Sequence, residues 1–155
     1  MMKIKCFVVF LFITIAISSL ANAAPGRRFY LTKHSVDGSG ALQACVPGFH
    51  MASLWEIYDV SNVRYDRVLG FTLTDSGFGP PAGAFGWVRT GTHPDVSTTG
   101  IANCNVWTSN NPGFEGTLIE LPIDWENIDL GNPIGSWHAG TGDCAAEAQV
   151  WCVQN

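Results

Sequence analysis

The chain has 155 residues, of which 46% are hydrophobic and 14% are charged, and its formal net charge is −5. This composition suits one folded, turn-rich domain with a buried core and excludes a disordered linker. Nucleic acids, heparin-like polyanions and anionic membranes bind clustered Lys and Arg, so the acidic balance argues against all three as partners.

The first 23 residues have the pattern of an export signal. Lys3 and Lys5 precede an apolar run over residues 6–20, and small residues follow it over 21–23. The run is shorter than the roughly 20 apolar residues of a transmembrane helix. We therefore expect a cleaved signal peptide, 1–23, and a single mature domain, 24–155, that is secreted or periplasmic and has no membrane attachment.

Four cysteines lie beyond the expected signal peptide: Cys45, Cys104, Cys144 and Cys152. An even number in an exported chain predicts two disulfides, and three pairings are compatible with the sequence. A structural zinc site is the alternative. It is disfavoured because no two of these cysteines have the close spacing that is typical of zinc ligands.

The first part of the mature chain predicts one strand and two short helices. The strand is expected over residues 28–32, before a turn at 37–40. The first helix is expected over residues 41–44, and a brief extended stretch follows over 49–52.

The second helix is expected to begin at Ser53, because Glu56 stands three residues later and completes a capping box. Leu54 and Ile57 give this helix an apolar side. The same pattern extends the helix toward residues 63–65.

The later part of the chain predicts strands separated by long loops. Strands are expected over residues 86–89, 103–107 and 148–153, whereas 77–83 is loop and 112–142 is mostly irregular. Early helices followed by late strands indicate an α+β fold, in which the late loops are the natural binding surface.

Segments near the start of the domain resemble a C-type lectin-like domain. In that superfamily a helix carries the first cysteine, and a G-x-H-x-A-S-like segment leads into the second helix. Here residues 41–45 end at Cys45, and residues 48–54 read Gly-Phe-His-Met-Ala-Ser-Leu. Residues 86–88, Gly-Trp-Val, are similar to the central tryptophan strand of the family, although the usual glycine is displaced.

The second half is similar to the endostatin branch of the same superfamily. In that branch a tryptophan–glycine strand is followed by C-x-x-W, a glycine-containing loop and a closing C-x7-C. Residues 104–107, 116–118 and 144–152 follow this order, and the resemblance covers residues 29–153. It implies an α+β, C-type lectin-like fold with two short early helices and a twisted antiparallel sheet with long loops.

The resemblance also implies one of the three cysteine pairings, Cys45 with Cys152 and Cys104 with Cys144. These bonds would tie the first helix to the last strand and close the base of the long loop region. In the chain-entropy model each would stabilise the fold by roughly 4–5 kcal/mol.

The chain departs from the family at its calcium-binding triplets. Sugar-binding members use E-P-N or Q-P-D and then W-N-D, whereas residues 131–133 read Gly-Asn-Pro and residues 137–139 read Trp-His-Ala. The usual calcium-dependent sugar site is therefore not expected. The zinc-binding histidines and the arginine surface of the endostatin branch are missing too, so the resemblance carries over only the scaffold.

One loop still concentrates oxygen ligands. Calcium takes about six to eight oxygens, and the candidate ligands in this loop are Asp124, Glu126, Asp129 and Asn132. Their spacing differs from that of an EF-hand, and a solvated acidic loop is the alternative interpretation. No other cofactor is expected.

The tryptophans divide by their context. Those expected to be packed lie in predicted strands or open the second helix: Trp87, Trp107, Trp151 and Trp55. Trp125 and Trp137 fall in loops, where an aromatic ring can stack on a sugar, with core packing as the alternative. His138 and Asn127 lie in the same loops and complete the candidate ligand-binding residues.

These observations predict an exported, non-catalytic recognition module that binds a glycan or a protein ligand through the loops between Trp107 and Asp143. The sequence contains no motif typical of a catalytic site. One alternative is a structural component that self-associates outside the cell or at its surface. A less favoured alternative is a hydrolase that uses His138 with Asp143, or Glu115 with Glu120.

Overall fold

The computed structural model describes residues 26–90, 98–123 and 137–155, and the expected signal peptide falls outside these ranges. The strands in these ranges are β1 (Arg27–Leu31), β2 (Phe49–Met51), β3 (Val63–Tyr65), β4 (Gly86–Trp87), β5 (Glu115–Glu120), β6 (His138–Asp143) and β7 (Gln149–Gln154). The helices are α1 (Leu54–Tyr58) and α2 (Cys104–Trp107), and short 3-10 turns cover Ala41–Gln43 and Val60–Asn62. The expected α+β class is therefore confirmed.

β7 lies at the centre of the sheet. The strand order is β3-β1-β7-β4-β5-β6, and β2 also pairs with β7. Residues 150–153 of β7 are all buried, without the alternation of a half-exposed strand. A strand that is covered on both faces has this continuous apolar pattern.

The sheet is mixed, so the expectation of an antiparallel sheet is wrong for two of its strand pairs. β1 runs parallel to β3, and β4 runs parallel to β7. The other pairs are antiparallel. Parallel neighbours need a crossover connection, and the chain between β1 and β3 supplies one that contains β2 and α1.

Four tryptophans form much of the core, and each is at most 5% exposed: Trp87, Trp107, Trp137 and Trp151. Trp137 packs edge-to-face on Trp151 with ring centroids 5.0 Å apart. Trp107 packs in the same way on Trp87 at 5.8 Å. Such pairs contribute about 0.5–1.5 kcal/mol beyond the burial of their area.

Two disulfides link the periphery to this core. Cys45 is joined to Cys152, and Cys104 is joined to Cys144, which is the pairing that the resemblance implies. The first bond ties the segment after the Ala41–Gln43 turn to β7. The second ties α2 to the residue that follows β6.

The end of α1 differs from the expectation that the helix continues through residues 63–65. Asp59 leaves the helical conformation with ψ 70°. Its carboxylate then accepts hydrogen bonds from Ser61 Oγ at 2.6 Å and from Asn62 Nδ2 at 2.8 Å. These bonds turn the chain, so residues 63–65 become β3 beside β1.

The expectation that residues 112–142 are mostly irregular is wrong for the described part of that segment, because it contains β5 and the start of β6. β6 reads His-Ala-Gly-Thr-Gly-Asp and has no apolar alternation. Its conformation comes from pairing with β5 along its whole length, from Glu115 opposite Asp143 to Glu120 opposite His138. Pairing of this kind overrides weak strand propensity.

The strand expected over residues 103–107 is instead a left-handed turn. All four residues of α2 have positive φ, between 48° at Cys104 and 60° at Trp107. This conformation costs about 1–2 kcal/mol for each residue with a side chain. It is held by the Cys104–Cys144 bond and by Asn103, whose side-chain oxygen accepts a 2.9 Å hydrogen bond from the Val106 amide.

Within the described ranges, no helix has both the length and the apolar character that a membrane span requires.

Candidate ligand-binding site

Helix α1 begins at a capping box and leaves one side of the helix exposed. Ser53 Oγ accepts a hydrogen bond from the Glu56 amide at 3.3 Å, and the Glu56 carboxylate accepts one from the Ser53 amide at 3.0 Å. Of the five residues in α1, Ile57 alone is fully buried. Trp55 and Asp59 are four positions apart, so they share one side of the helix.

Trp55 lies on the surface, and the expectation that it is packed is wrong. Its side chain is 88% exposed, whereas the other tryptophans of the described ranges are at most 5% exposed. Tyr58, three positions further along α1, is 46% exposed. Both rings are therefore open to solvent on α1, whereas Ile57 of the same helix points inward.

A shallow groove runs beside Trp55 and has a volume of about 210 Å³. We call it the Trp55 groove, and it is lined by Arg27, Trp55, Glu56, Asp59, Asn62 and Val63. Pockets that enclose a drug-sized molecule have volumes of about 300–1,000 Å³. The groove is smaller, so it has room for one ring or one side chain of a larger ligand.

Glu56 lines the groove, and three neighbouring side chains hold its carboxylate in place. Its carboxylate lies 3.0 Å from Arg27 Nη2, 3.1 Å from His50 Nε2 and 2.8 Å from Ser53 Oγ. Partial burial acts to raise the pKa of Glu56. Hydrogen bonds from Ser53 and Arg27, with the nearby His50, outweigh burial and lower the pKa to about 2. Glu56 is therefore ionised at neutral pH and is already engaged by its neighbours.

Arg27 is also engaged within the protein. Besides its contact with Glu56, its Nε donates to the backbone oxygen of Gln154 at 2.8 Å. These bonds join β1, β7 and α1 at one end of the sheet. The guanidinium therefore holds the wall of the groove and is neutralised by Glu56.

Asp59 and Asn62 form the polar rim of the groove. Hydrogen bonds from Ser61 and Asn62 lower the pKa of the Asp59 carboxyl, which is fully open to solvent. Asp59 is thus ionised, and a carboxylate has about four acceptor sites. The Asn62 amide is held against it at 2.8 Å and presents its own donor and acceptor atoms. The rim can bind a group that both donates and accepts hydrogen bonds.

Two of the residues expected to bind ligand lie within the described ranges, and they have different environments. Trp137 is 5% exposed and packs on Trp151. Its ring is part of the core, so the interpretation of Trp137 as a stacking platform is corrected to the packing alternative. His138 lies on the surface, with its side chain 56% exposed and Nδ1 3.3 Å from Glu120 Oε1.

In each residue pair of the hydrolase alternative, the two members are far apart in the structure. Glu115 and Glu120 stand at opposite ends of β5, and His138 and Asp143 stand at opposite ends of β6. A strand rises about 3.3 Å per residue, so each pair is separated by roughly 17 Å. Glycosidase carboxylates lie about 5–10 Å apart.

The remaining candidates lie outside the described residues and stay predictions: Trp125 and Asn127 for ligand binding, and Asp124, Glu126, Asp129 and Asn132 for calcium. In the ranges that the structure describes, no group of three or more His, Cys, Asp or Glu side chains is placed to hold a metal ion.

Sequence reasoning missed the Trp55 groove, although one signal for it was present. Leu54 and Ile57 are three positions apart and mark the inward side of α1. Trp55 is two positions before Ile57, about 200° around the helix, so helical geometry alone places it on the outward side. Trp55 and Asp59, one turn apart on that side, are therefore a candidate pair of ligand-binding residues.

No family model, curated protein or solved structure matches this chain.

Proposed function

We propose that this protein is an exported, non-catalytic recognition module on a C-type lectin-like scaffold, and that it binds a glycan or a protein ligand. The scaffold is supported by the disulfide pairs Cys45–Cys152 and Cys104–Cys144 and by the pairing of the first strand with the last. Two disulfides are typical of proteins that fold in an oxidising compartment, which supports export.

The ligand site that we propose is the Trp55 groove, and the observation that carries this proposal is the 88% exposure of Trp55. A large aromatic ring leaves much apolar area in water and recovers that free energy when a ligand covers it. The groove beside it supplies polar groups that can orient such a ligand. Binding sites commonly combine an apolar surface with a few placed polar groups.

The ionised state of the Glu56 and Asp59 carboxylates supports binding without catalysis. The hydrogen bonds around Glu56 and Asp59 lower both pKa values, so neither holds a proton at neutral pH. A general acid needs a pKa near the working pH. Glu56 is also occupied by Arg27, His50 and Ser53, which leaves it no role as a nucleophile.

The loops between Trp107 and Asp143 remain a second proposed surface. His138 contributes to it through an exposed ring beside Glu120, and the ring of Phe85 lies 6.4 Å from it.

The proposed function is tested by binding of the oxidised protein to a printed array of glycans and to a panel of purified extracellular proteins. The variant Trp55→Ala should lose the binding that the wild type shows. The variant Phe78→Ala is the matched control, because Phe78 is 87% exposed and its ring lies on Arg67, which does not line the groove. Equal binding by the wild type, Trp55→Ala and His138→Ala would contradict the proposal.

Self-association is the second candidate function, and a separate observation favours it. Other apolar side chains also protrude from the described surface, among them Val68 and Ile123 at 82% and 78% exposure. Exposed apolar groups join copies of one chain where they lie together in one patch. Light scattering should then show oligomers that Ile123→Ala weakens, whereas a strict monomer at high concentration would contradict this candidate.

A further inference from the structure

We infer that the group seated in the Trp55 groove is a sugar ring of a neutral glycan, bound without calcium. This inference rests on the proposed function and deepens it by naming the ligand class. Three features of the groove favour such a ligand: its shape, the hydrogen-bonding capacity of its rim and its charge.

The face of Trp55 calls for a flat, weakly polar partner. An aromatic ring has a negative face, which attracts the slightly positive hydrogens of a C–H surface. A pyranose ring presents such a surface on one side and hydroxyl groups around its edge. The 210 Å³ volume of the groove suits one ring, and the rest of an oligosaccharide can extend into solvent.

The rim of the groove matches the chemistry of hydroxyl groups. Asp59 is ionised and accepts hydrogen bonds, while the Asn62 amide both donates and accepts. A hydroxyl donates one hydrogen bond and accepts others, so adjacent hydroxyls can satisfy both residues at once. A lysine ammonium has donors only, so it can pair with Asp59 but cannot accept a hydrogen bond from the rim as a hydroxyl can.

The charges of the groove disfavour an anionic ligand. Arg27 is the one cation among the lining residues, and it is paired with Glu56 at 3.0 Å. Asp59 adds a second negative charge at the rim, so the lining carries more negative than positive charge. Like charges brought together at a binding surface are unfavourable. A sulfated, phosphorylated or carboxylated sugar should therefore bind more weakly than its neutral counterpart.

Calcium is not needed in this mode of binding. The ion takes about six to eight oxygen ligands. Glu56 is engaged by Arg27, His50 and Ser53, which leaves Asp59 as the open carboxylate of the groove. The sugar is then held by stacking and direct hydrogen bonds.

The test is calorimetric titration of the oxidised, full protein in excess chelator with three kinds of probe. The first is a set of neutral oligosaccharides built from glucose, galactose, mannose or N-acetylhexosamine. The second is their sulfated or carboxylated counterparts, and the third is a lysine-rich peptide. Melting temperatures of all variants verify that each one is folded.

We expect at least one neutral oligosaccharide to bind in chelator. Its affinity should fall at least about tenfold in Trp55→Ala, which corresponds to about 1.4 kcal/mol. Trp55→Phe should retain part of the affinity, because a smaller ring still stacks. Asp59→Asn should weaken binding by about tenfold through loss of charge-assisted hydrogen bonds. Phe78→Ala should bind as the wild type does.

The outcomes separate the failure of this inference from the failure of the proposed function. Binding of the lysine-rich peptide or of acidic sugars through Trp55, without binding of neutral sugars, overturns the inference and leaves the Trp55 groove as a ligand site. Binding of a neutral oligosaccharide that occurs with calcium and is lost in chelator also overturns the inference. Sugar binding that Trp55→Ala leaves unchanged overturns both this inference and the Trp55 groove as the ligand site, and so does the absence of any Trp55-dependent binding here and in the array.

Discussion

Arg27 and Glu56 lie 29 positions apart in the sequence and meet with Nη2 3.0 Å from Oε1. This contact joins the first strand to α1, and the same carboxylate caps that helix through Ser53. One acidic residue therefore fixes both the start of the helix and its position against the sheet. Trp55, the neighbour of Glu56, is held at the surface as a consequence.

Glu56→Ala should lower the free energy of unfolding by about 1–2 kcal/mol, mainly through loss of the helix cap. The ion pair with Arg27 adds little, because exposed pairs contribute at most about 1 kcal/mol and the Arg27 side chain is 42% exposed. Urea denaturation measures this change. Arg27→Gln should cost less than Glu56→Ala, and the reverse order would show that the ion pair dominates.

The stability of the protein should fall in acid partly because of Glu56. Its pKa is about 2 in the folded state, below its ordinary value of 4.5. A carboxyl with a lowered pKa stabilises the fold above its unfolded pKa and loses that effect as the pH falls toward its folded pKa. Glu56→Gln should therefore show a flatter loss of stability than the wild type between pH 4.5 and 2 in denaturant melts. The same pH dependence of stability in Glu56→Gln and the wild type would show that the contacts of Glu56 do not lower its pKa.

Two tryptophan substitutions should differ strongly in their effects on stability. Trp137→Ala removes a buried ring that packs on Trp151, and should cost about 3–5 kcal/mol. Trp55→Ala removes an exposed ring, and should change the unfolding free energy by no more than about 0.5 kcal/mol. Chemical denaturation of the two variants tests the assignment of one ring to the core and the other to the surface. A large loss in Trp55→Ala would show that the ring is packed.

Two glycine-to-alanine substitutions, on the paired strands β5 and β6, should also have unequal effects on stability. A Cβ at Gly116 would lie 2.7 Å from Cys104 Sγ, whereas a Cβ at Gly140 meets nothing within 4 Å. Gly116→Ala should therefore destabilise the fold by about 1–3 kcal/mol through overpacking. Gly140→Ala is the control and should be close to neutral. Equal effects in thermal melts would contradict the close packing of β5 against the turn at Cys104.

Local rules were sufficient for the parts of the fold that depend on neighbouring residues. The capping box of Ser53 with Glu56 and the buried run of the last strand follow from short-range patterns. The parallel pairing of β1 with β3 does not, because it depends on where the crossover brings the chain back. β6 is a similar case, since its glycine-rich sequence becomes a strand only through the partner β5.

The candidate site shows the same division. Sequence context placed Trp137 in a loop, but its burial depends on Trp151 from the last strand. Trp55 is expected to be packed at the start of the second helix, but its 88% exposure depends on how α1 is placed against the sheet, which the contact of Arg27 with Glu56 fixes. The left-handed turn at residues 104–107 is likewise held by distant groups, above all by Cys144. Contacts between residues far apart in sequence decide all three cases.

We propose Trp55 as the point of ligand contact, and a two-dimensional NMR titration of the indole N–H signals observes that contact residue by residue. Each tryptophan gives its own signal, and the spectrum of Trp55→Phe identifies the one that belongs to Trp55. On addition of a neutral oligosaccharide that binds, we expect a shift of the Trp55 signal, with the signals of the buried tryptophans unchanged. An unchanged Trp55 signal during saturable binding would contradict the assignment of the Trp55 groove and would move the site to the loops between Trp107 and Asp143.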